Sequence, residues 1–224
     1  MLYSIFSKTE GELQKRSMLK AVIGFTLMAA WVYLYFTARD PKDWWIENIL
    51  VILFLTGLIL VRKRFTFSDT GLMFIGGYLF LHLYGAQGAY THNSFGELLK
   101  SRFHLWRNPY DRIVHFSFGF LMAYPMLEVF TKWWGTERKG LILSVNMAIL
   151  SLATIFELIE WGVAAVTDKA TGETYVATQG DPWDAQKDII MALIGSVIFS
   201  FILKAVRARR APLALSTGEL QLQL

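Results

Sequence analysis

The sequence predicts an all-α protein, namely a polytopic membrane helical bundle with about six transmembrane helices. Hydrophobic residues make up 54% of the 224 residues, and the mean hydropathy is +0.38. Several apolar runs approach the roughly 18 residues that a helix needs to cross a hydrocarbon core about 30 Å thick. A soluble domain can bury one or two such helices but not six, so these observations favour a membrane protein.

The predicted spans are separated by short polar connections. Their boundaries, to within a few residues, are 20–38, 45–61, 70–89, 112–130, 140–163 and 187–206. Small residues inside two of them, Gly76-Gly77 and Gly195-Ser196, indicate close packing between helices rather than contact with a ligand.

The first apolar run, residues 21–36, follows basic residues as the core of a signal peptide would, but no small-x-small cleavage site comes after it. We therefore expect a retained first helix. The predicted organisation is an N-terminal segment over 1–19, a transmembrane domain over 20–206 and a mobile tail over 207–224. The absence of cysteine excludes disulfides and thiolate metal sites.

Most of the 22 lysines and arginines fall on the flanks that share a side with the two termini. Basic residues concentrate on the cytoplasmic side of a membrane protein, so this distribution predicts that both termini are cytoplasmic. The formal net charge of +4 is explained by that rule, and we expect no nucleic-acid partner.

One short pattern occurs three times, each time at the start of a long apolar run. An Asp or Asn precedes a proline, an Asp lies two residues after the proline, and a second ionisable residue follows one helical turn later. The copies are Asp40-Pro41-Lys42-Asp43 with Glu47, Asn108-Pro109-Tyr110-Asp111 with His115, and Asp181-Pro182-Trp183-Asp184 with Asp188. Such a start is favourable because the first side chain caps the helix and the proline fits its first position.

Capping does not explain the second ionisable residue of each copy. Glu47, His115 and Asp188 have entered apolar runs, where a charge costs about 2.5–3.5 kcal/mol at the bilayer centre and less near its edge. On the alternating topology, helix ends from five spans bring eight ionisable residues to one level of the membrane, namely Glu47, His82, Asp111, His115, Glu157, Glu160, Asp184 and Asp188.

Two interpretations of this layer of eight ionisable residues remain open. In the first, it is an interfacial belt in which the acids pair with basic residues, namely Arg102, Arg107, Arg112 and Lys187. In the second, which we favour, it is an inward-facing polar pocket, because ionisable groups within a membrane mark functional sites.

A histidine among several carboxylates suits a hard or borderline divalent cation. The predicted ligands of this cation, which is the one cofactor that the residues suggest, are Asp111, His115, Glu157, Asp184 and Asp188. The same residues can also act as general acids and bases without a metal, together with Glu160 as a general base. The spacing matches no compact metal motif.

Four segments of the chain resemble the motifs of the YjdF-type family of bacterial inner-membrane proteins. They are His82-Leu83-Tyr84-Gly85-Ala86, Tyr110-Asp111-Arg112-Ile113-Val114-His115-Phe116, Glu157-Leu158-Ile159-Glu160-Trp161 and Gly180-Asp181-Pro182-Trp183-Asp184-Ala185-Gln186-Lys187-Asp188. The resemblance covers nearly the whole chain and implies a multi-pass protein of the bacterial inner membrane without an established activity. With both termini cytoplasmic, we expect the polar pocket at the periplasmic face of that membrane.

A looser resemblance is to VanZ-like membrane proteins, which are associated with glycopeptide-antibiotic resistance. It rests on Asp111-Arg112 with His115-Phe116, on the acid pair that ends the next span, and on Asp184 with Asp188 and Gly195. The chain departs from that pattern by carrying Asp188 where Asn is expected and by lacking an Arg before Asp184.

Three functions are compatible with the residues. The first is an envelope enzyme that acts on a lipid head group or a lipid-linked precursor. The second is a proton-coupled transporter, and the third is a non-catalytic membrane factor whose polar cluster ties helices together. The inner halves of the spans are mostly apolar, apart from Ser144, Asn146 and Ser151, which favours a one-sided site over a conduit. The lipid bilayer is the expected partner, and the oligomeric state is not predicted.

Overall fold

The computed structural model describes the backbone of residues 2–132, 138–167, 172 and 175–221. These residues form seven α-helices and no β-strand, which confirms the predicted all-α class. The helices are α1 (Leu2–Phe36), α2 (Pro41–Val61), α3 (Asp69–Gln87), α4 (Ser94–Phe103), α5 (Tyr110–Lys132), α6 (Arg138–Val166) and α7 (Asp184–Gln221).

Within the described part of the chain, five helices are long and apolar enough to cross a membrane, which confirms a polytopic protein. The segments concerned are Ser17–Phe36, Pro41–Val61, Tyr110–Lys132, Gly140–Val166 and Asp184–Ala208. The third predicted span corresponds to α3, whose glycines, tyrosines and His82 lower its hydropathy. It packs against α1, α2 and α5, so neighbouring helices cover much of its surface. That α3 also crosses the membrane stays a prediction.

The first and last helices extend beyond the predicted spans, and one connection contains an additional helix. The predicted N-terminal segment and first span belong to one continuous helix, α1. The helix α7 continues through much of the predicted C-terminal tail, and the mobility of that tail stays a prediction. The connection after α3 contains a further helix, α4, which is capped by Asn93 and ends at His104 in a left-handed conformation.

Helices α5 and α7 pack closely against each other. A Cβ atom at Gly119 of α5 would overlap the backbone carbonyl of Ala192, and one at Gly195 of α7 would overlap that of Phe116. The two backbones therefore touch, which confirms that Gly195 permits close packing. The contact also places the start of α7 beside the start of α5.

Contacts at its two ends show that α3 runs antiparallel to α5. Near one end of the bundle, Glu128 of α5 accepts a hydrogen bond from the backbone N–H of Ser68 at 2.9 Å. Near the other end, the Tyr110 hydroxyl donates to the carbonyl of Leu81 at 2.9 Å. We call the end that contains Tyr110 the site end, because the predicted functional residues gather there.

Candidate functional site

The three repeated turns adopt the same local structure. A side-chain oxygen of the first residue accepts the backbone N–H two positions later, from Lys42 to Asp40 at 2.7 Å, from Tyr110 to Asn108 at 3.0 Å and from Trp183 to Asp181 at 3.1 Å. This shared hydrogen bond confirms that the three copies form similar turns. The helices that follow begin at Pro41, Tyr110 and Asp184. The prediction that proline is the first helical residue is therefore right for the first copy and wrong for the other two.

All three turns direct their two ionisable side chains into the protein. The exposed fraction of each of these residues lies between 2% and 8%, for Asp43, Glu47, Asp111, His115, Asp184 and Asp188. An ordinary amphipathic helix at a membrane surface would expose these groups instead. The burial therefore shows that the repeats do more than cap helices.

Two arginines link the second and third turns, of which Arg107 is buried and Arg112 is partly exposed. Arg107 forms an ion pair with Asp184 and lies 3.4 Å from Asp111 Oδ2. Arg112 pairs with the same oxygen of Asp184 and donates through Nη1 to the Asp184 backbone carbonyl at 2.9 Å. The predicted pairing of the acids with Arg107 and Arg112 is thus present, but it lies inside the protein instead of forming an exposed belt. Arg102, the third arginine of that prediction, is exposed.

Asp181 joins the arginine network from the third turn. Its Oδ2 atom lies 3.2 Å from Arg112 Nη2 and 2.6 Å from Lys187 Nζ. The hydrogen bond from Lys187, the N–H of Trp183 and the charge of Arg112 lower the pKa of this carboxyl below its ordinary value. Asp181 therefore stays ionised and serves as the fixed partner of these cations.

His115 lies between two carboxylates. Its Nε2 atom is 3.4 Å from Asp111 Oδ1 and 3.5 Å from Glu157 Oε1. Neither distance is that of a tight hydrogen bond, and Glu157 Oε1 has no hydrogen-bond partner among the described residues. The imidazole therefore faces both carboxylates without being saturated by hydrogen bonds.

The donor atoms of Asp111, His115 and Asp188 all lie within 4.8 Å of one another, and all three residues are buried. Two carboxylates and an imidazole are suitable ligands for a borderline divalent cation. Asp188 Oδ1 lies 2.8 Å from Arg112 Nη1 and therefore already faces one positive charge, although it accepts no hydrogen bond from a described residue. The types and the spacing of the three donor groups fit a bound cation.

A cavity of about 400 Å³ lies beside this cluster. Most of its ionisable lining residues belong to the site end, namely His82, Tyr90, Asp111, His115 and Glu160. Tyr78 lies one turn deeper, where its ring packs against Phe118. The rest of the wall is apolar and includes Phe118, Met122 and Met126, which follow His115 along α5. The cavity is thus polar at one end and apolar along its length, as ligand pockets commonly are.

His82 and Tyr90 form a second polar pair on the cavity wall. The Tyr90 hydroxyl lies 2.6 Å from His82 Nδ1, and the other ring nitrogen of His82 lies 3.3 Å from the backbone carbonyl of Glu47. Tyr90 has a positive φ of 51°, which is uncommon for a side chain of this size. The backbone thus takes a sparsely populated conformation that directs this hydroxyl at His82.

The structure brings most of the predicted site residues together but gives them different surroundings. Asp111, His115 and Asp188 form the compact set, and Glu157 touches that set through His115. Glu160 is buried and lines the cavity. Asp184, a predicted metal ligand, instead contacts both arginines, although its Oδ2 atom has no hydrogen-bond partner among the described residues.

Two contributions to the site were missed from the sequence. Asp181 was treated only as a helix cap, although it also holds Arg112 and Lys187. Gln179 was not singled out, although its side chain bonds both the N–H and the carbonyl of Asn108, at 2.8 and 3.0 Å. The polar run from 178 to 181 offers a weak signal for such contacts, but nothing local identifies their partners.

Apolar helices around a buried, charged cluster define a polytopic helical membrane protein with an ionisable site near one end. The chain belongs to the family described as "Predicted membrane protein (DUF2238)", whose model matches residues 19–209. It is also similar to the inner membrane protein YjdF of Escherichia coli (strain K12). The two are 27% identical over 186 residues, which cover 83% of this chain and 88% of that protein.

These matches confirm the YjdF-type resemblance that the motifs indicated. No solved structure matches the chain. The looser resemblance to VanZ-like proteins receives no support from these comparisons.

Proposed function

We propose that the protein is a membrane-embedded enzyme that acts on the polar head of a lipid or of a lipid-linked precursor, with a divalent cation at Asp111, His115 and Asp188. The observation that carries this proposal is the cavity of about 400 Å³, which has ionisable groups at one end and apolar walls elsewhere. An amphiphile has the same division into a polar head and an apolar body. The cavity therefore suits a lipid better than a polar metabolite.

The charges of the cluster support a bound cation. Its acids outnumber its bases. The buried acids are Asp111, Glu157, Glu160, Asp181, Asp184 and Asp188, and they face the buried Arg107 and His115 and the partly exposed Arg112. Lys187 adds a fourth base, but its side chain is half exposed. Burying a charge without a partner costs free energy. A cluster with more acids than bases therefore favours the binding of protons or of a metal ion, which would neutralise the excess negative charge.

The cavity-lining residues provide groups for acid and base chemistry. In the proposed reaction, Glu160 accepts a proton from a water molecule as the water oxygen bonds to the phosphorus or carbonyl carbon of the head group. The bond to the leaving oxygen then breaks, and His82 with Tyr90 lies on the same wall to supply its proton. A bound cation would polarise the reacting oxygen, and Glu157 would orient His115.

The apolar half of the cavity argues against the transporter alternative. Beyond His115 the α5 lining residues are Phe118, Met122 and Met126, none of which can relay a proton. A polar group does exist farther along the bundle, where Ser196 and Ser200 donate to the Asn146 side chain. Those hydroxyls are already engaged with Asn146, so they serve as a helix contact rather than as a path.

The proposed location is the bacterial inner membrane, which is the location that the name of the Escherichia coli relative gives. The distribution of Lys and Arg supports cytoplasmic termini. With six crossings, that orientation puts the site end at the periplasmic face. The substrate would therefore come from the outer leaflet of the inner membrane.

The function is tested with the full chain in bilayer discs of phosphatidylethanolamine and phosphatidylglycerol, with and without a polyprenyl diphosphate. Released head groups are measured by mass spectrometry in the presence of Mg²⁺, Mn²⁺ or Zn²⁺. We expect metal-dependent release by the wild type and its loss in His115→Gln and Glu160→Gln. Glu128→Gln, which changes a buried carboxylate at the opposite end of α5, is the matched control. Absence of release from every lipid, or equal release by His115→Gln, contradicts the proposal.

A further inference from the structure

The apolar wall of the cavity continues onto the membrane-facing surface of α6. Three of its residues, Leu152, Ile155 and Ile159, line the cavity while 41%, 51% and 37% of their surfaces are exposed. A side chain that faces both an internal cavity and the outside lies at an opening. The cavity is therefore open at the side of the bundle, where lipid chains would surround it.

The other edge of this opening belongs to α2. Leu50, Val51 and Phe54 line the cavity, and Leu50 and Phe54 are partly exposed. Helix α2 packs mainly against α3, whereas α6 packs mainly against α5 and α7. The two helices therefore flank a gap instead of closing it, and the gap faces the bilayer.

The dimensions of the cavity match one lipid chain. Its lining residues on α5 extend from Asp111 to Met126, which is about 22 Å at 1.5 Å per residue. One leaflet of a hydrocarbon core about 30 Å thick is about 15 Å deep. A chain anchored by its head at His115 therefore has room to extend past Met122 without leaving the protein.

We infer that the cavity takes a single apolar chain of a membrane amphiphile, which enters sideways between α2 and α6 and leaves its polar head at His115. This inference rests on the proposed function and names its substrate class. The flexible side chains of Met122 and Met126 at the deep end can adapt to a chain. Water is a poor alternative occupant there, because a buried water needs two to four polar partners and the described lining of the deep end offers none.

The test uses hexadecyl phosphate that carries a photoactivatable diazirine at its chain end. The full chain in bilayer discs is irradiated with this probe, and labelled residues are identified by mass spectrometry. We expect labels on Met122 and Met126. The double variant Leu50→Trp with Ile159→Trp places an indole ring at each edge of the opening. It should lower this labelling about tenfold, which corresponds to about 1.4 kcal/mol, because the rings obstruct the entry of the chain.

Neighbouring positions provide the matched control. Ile49 and Leu158 are exposed residues of the same two helices that do not line the cavity. In the double variant Ile49→Trp with Leu158→Trp, Met122 and Met126 should be labelled to the same extent as in the wild type. Labels confined to bilayer-facing residues such as Leu143, or equal labelling in both double variants, would overturn the inference.

This experiment separates the chain site from the proposed reaction, because labelling does not require turnover. Labelled Met122 without release of any head group would leave the chain site standing and contradict the enzyme. Release of a head group without labelled Met122 or Met126 would support the enzyme and contradict the chain site.

Discussion

Arg107 and Asp184 are 77 positions apart in the chain and form a buried ion pair at the start of two helices whose backbones touch. Arg107 precedes α5, and Asp184 is the first residue of α7. The guanidinium also lies 3.4 Å from Asp111 Oδ2 and 3.4 Å from the carbonyl of Ala177. One side chain therefore connects the second and third turns and the segment between α6 and α7.

Replacing Arg107 by alanine should destabilise the protein by about 3–5 kcal/mol, because it leaves the buried Asp184 and Asp111 without this partner. The double variant with Asp184→Ala should recover part of the loss, with a coupling on the order of 0.5–3 kcal/mol. Thermal unfolding of the four proteins of this cycle in detergent micelles measures both quantities.

Arg102→Ala is the control for that cycle, since Arg102 is an exposed arginine in α4 of the same region. Its effect should stay within about 0.5 kcal/mol. Equal losses in Arg102→Ala and Arg107→Ala, or strict additivity in the cycle, would show that the buried pair is not a coupled unit.

Purified wild-type protein should contain about one divalent cation per chain, and His115→Gln and Asp188→Asn should lose it. Asp184→Asn should retain it, because Asp184 faces the two arginines instead of the compact donor set. Glu157→Gln should weaken binding by about 10–100-fold, as changes to residues that orient a ligand do. Metal content by mass spectrometry, after purification without chelators, measures each case.

The same samples can contradict the cation site. Wild-type protein without metal after re-addition of Mg²⁺, Mn²⁺ and Zn²⁺ would exclude it and leave acid and base chemistry without a cation. Retention of metal in a folded Asp188→Asn variant would remove Asp188 from the ligand set.

Gly119→Ala and Gly195→Ala should each destabilise the protein by about 1–3 kcal/mol, because the added Cβ meets backbone atoms that cannot rotate away. Gly162→Ala in α6 is the matched control, since a Cβ there has no neighbour within 4 Å. Thermal unfolding in micelles compares the three variants. A loss in Gly162→Ala as large as that in Gly119→Ala would contradict close contact between α5 and α7.

Asp181 should make the protein sensitive to acid. Its pKa is lowered in the folded state, so its stabilising contribution is fully present above the ordinary aspartate pKa of about 3.9 and is lost as the pH falls through the lower folded value. Asp181→Asn should therefore unfold at a lower temperature than wild type at pH 7, and the difference should shrink as the pH falls below the ordinary aspartate pKa.

Asp40→Asn tests whether that effect belongs to the ion pairs or to the turn. Asp40 occupies the equivalent position of the first turn but is exposed, and Asn is an equally good cap. Its unfolding temperature should match that of wild type across the same pH range. If the difference in unfolding temperature between wild type and Asp181→Asn stays constant with pH, the ionised carboxylate is ruled out as its cause.

The local features of the site were predictable because they depend on neighbours in sequence. The cap, the proline and the four-residue spacing predict that Asp111 and His115 share a helix face, and burial of both confirms it. The choice of partner was not predictable in the same way. A carboxylate such as Asp184 could equally have faced a cation or an arginine, and the choice depends on which helix starts meet in the folded chain.

Long-range contacts account for the rest of what the sequence did not show. Tyr90 reaches His82 only because residues 89 and 90 both take a positive φ, and neither residue type favours that conformation. Helix α4 was missed because its 10 residues have an average polarity and no long apolar run. Its caps, Asn93 and the left-handed His104, are ordinary signals but weak ones.

The repeated turns set the rotational phase of their helices as well as their starting points. Each residue of an α-helix turns the next by about 100°, since 3.6 residues complete one turn. One residue inserted between the proline and the first carboxylate of a copy, for instance between Pro109 and Asp111, would swing His115 out of the cluster although every side chain was retained. The spacing of each turn is therefore as much a part of the site as the residues that it positions.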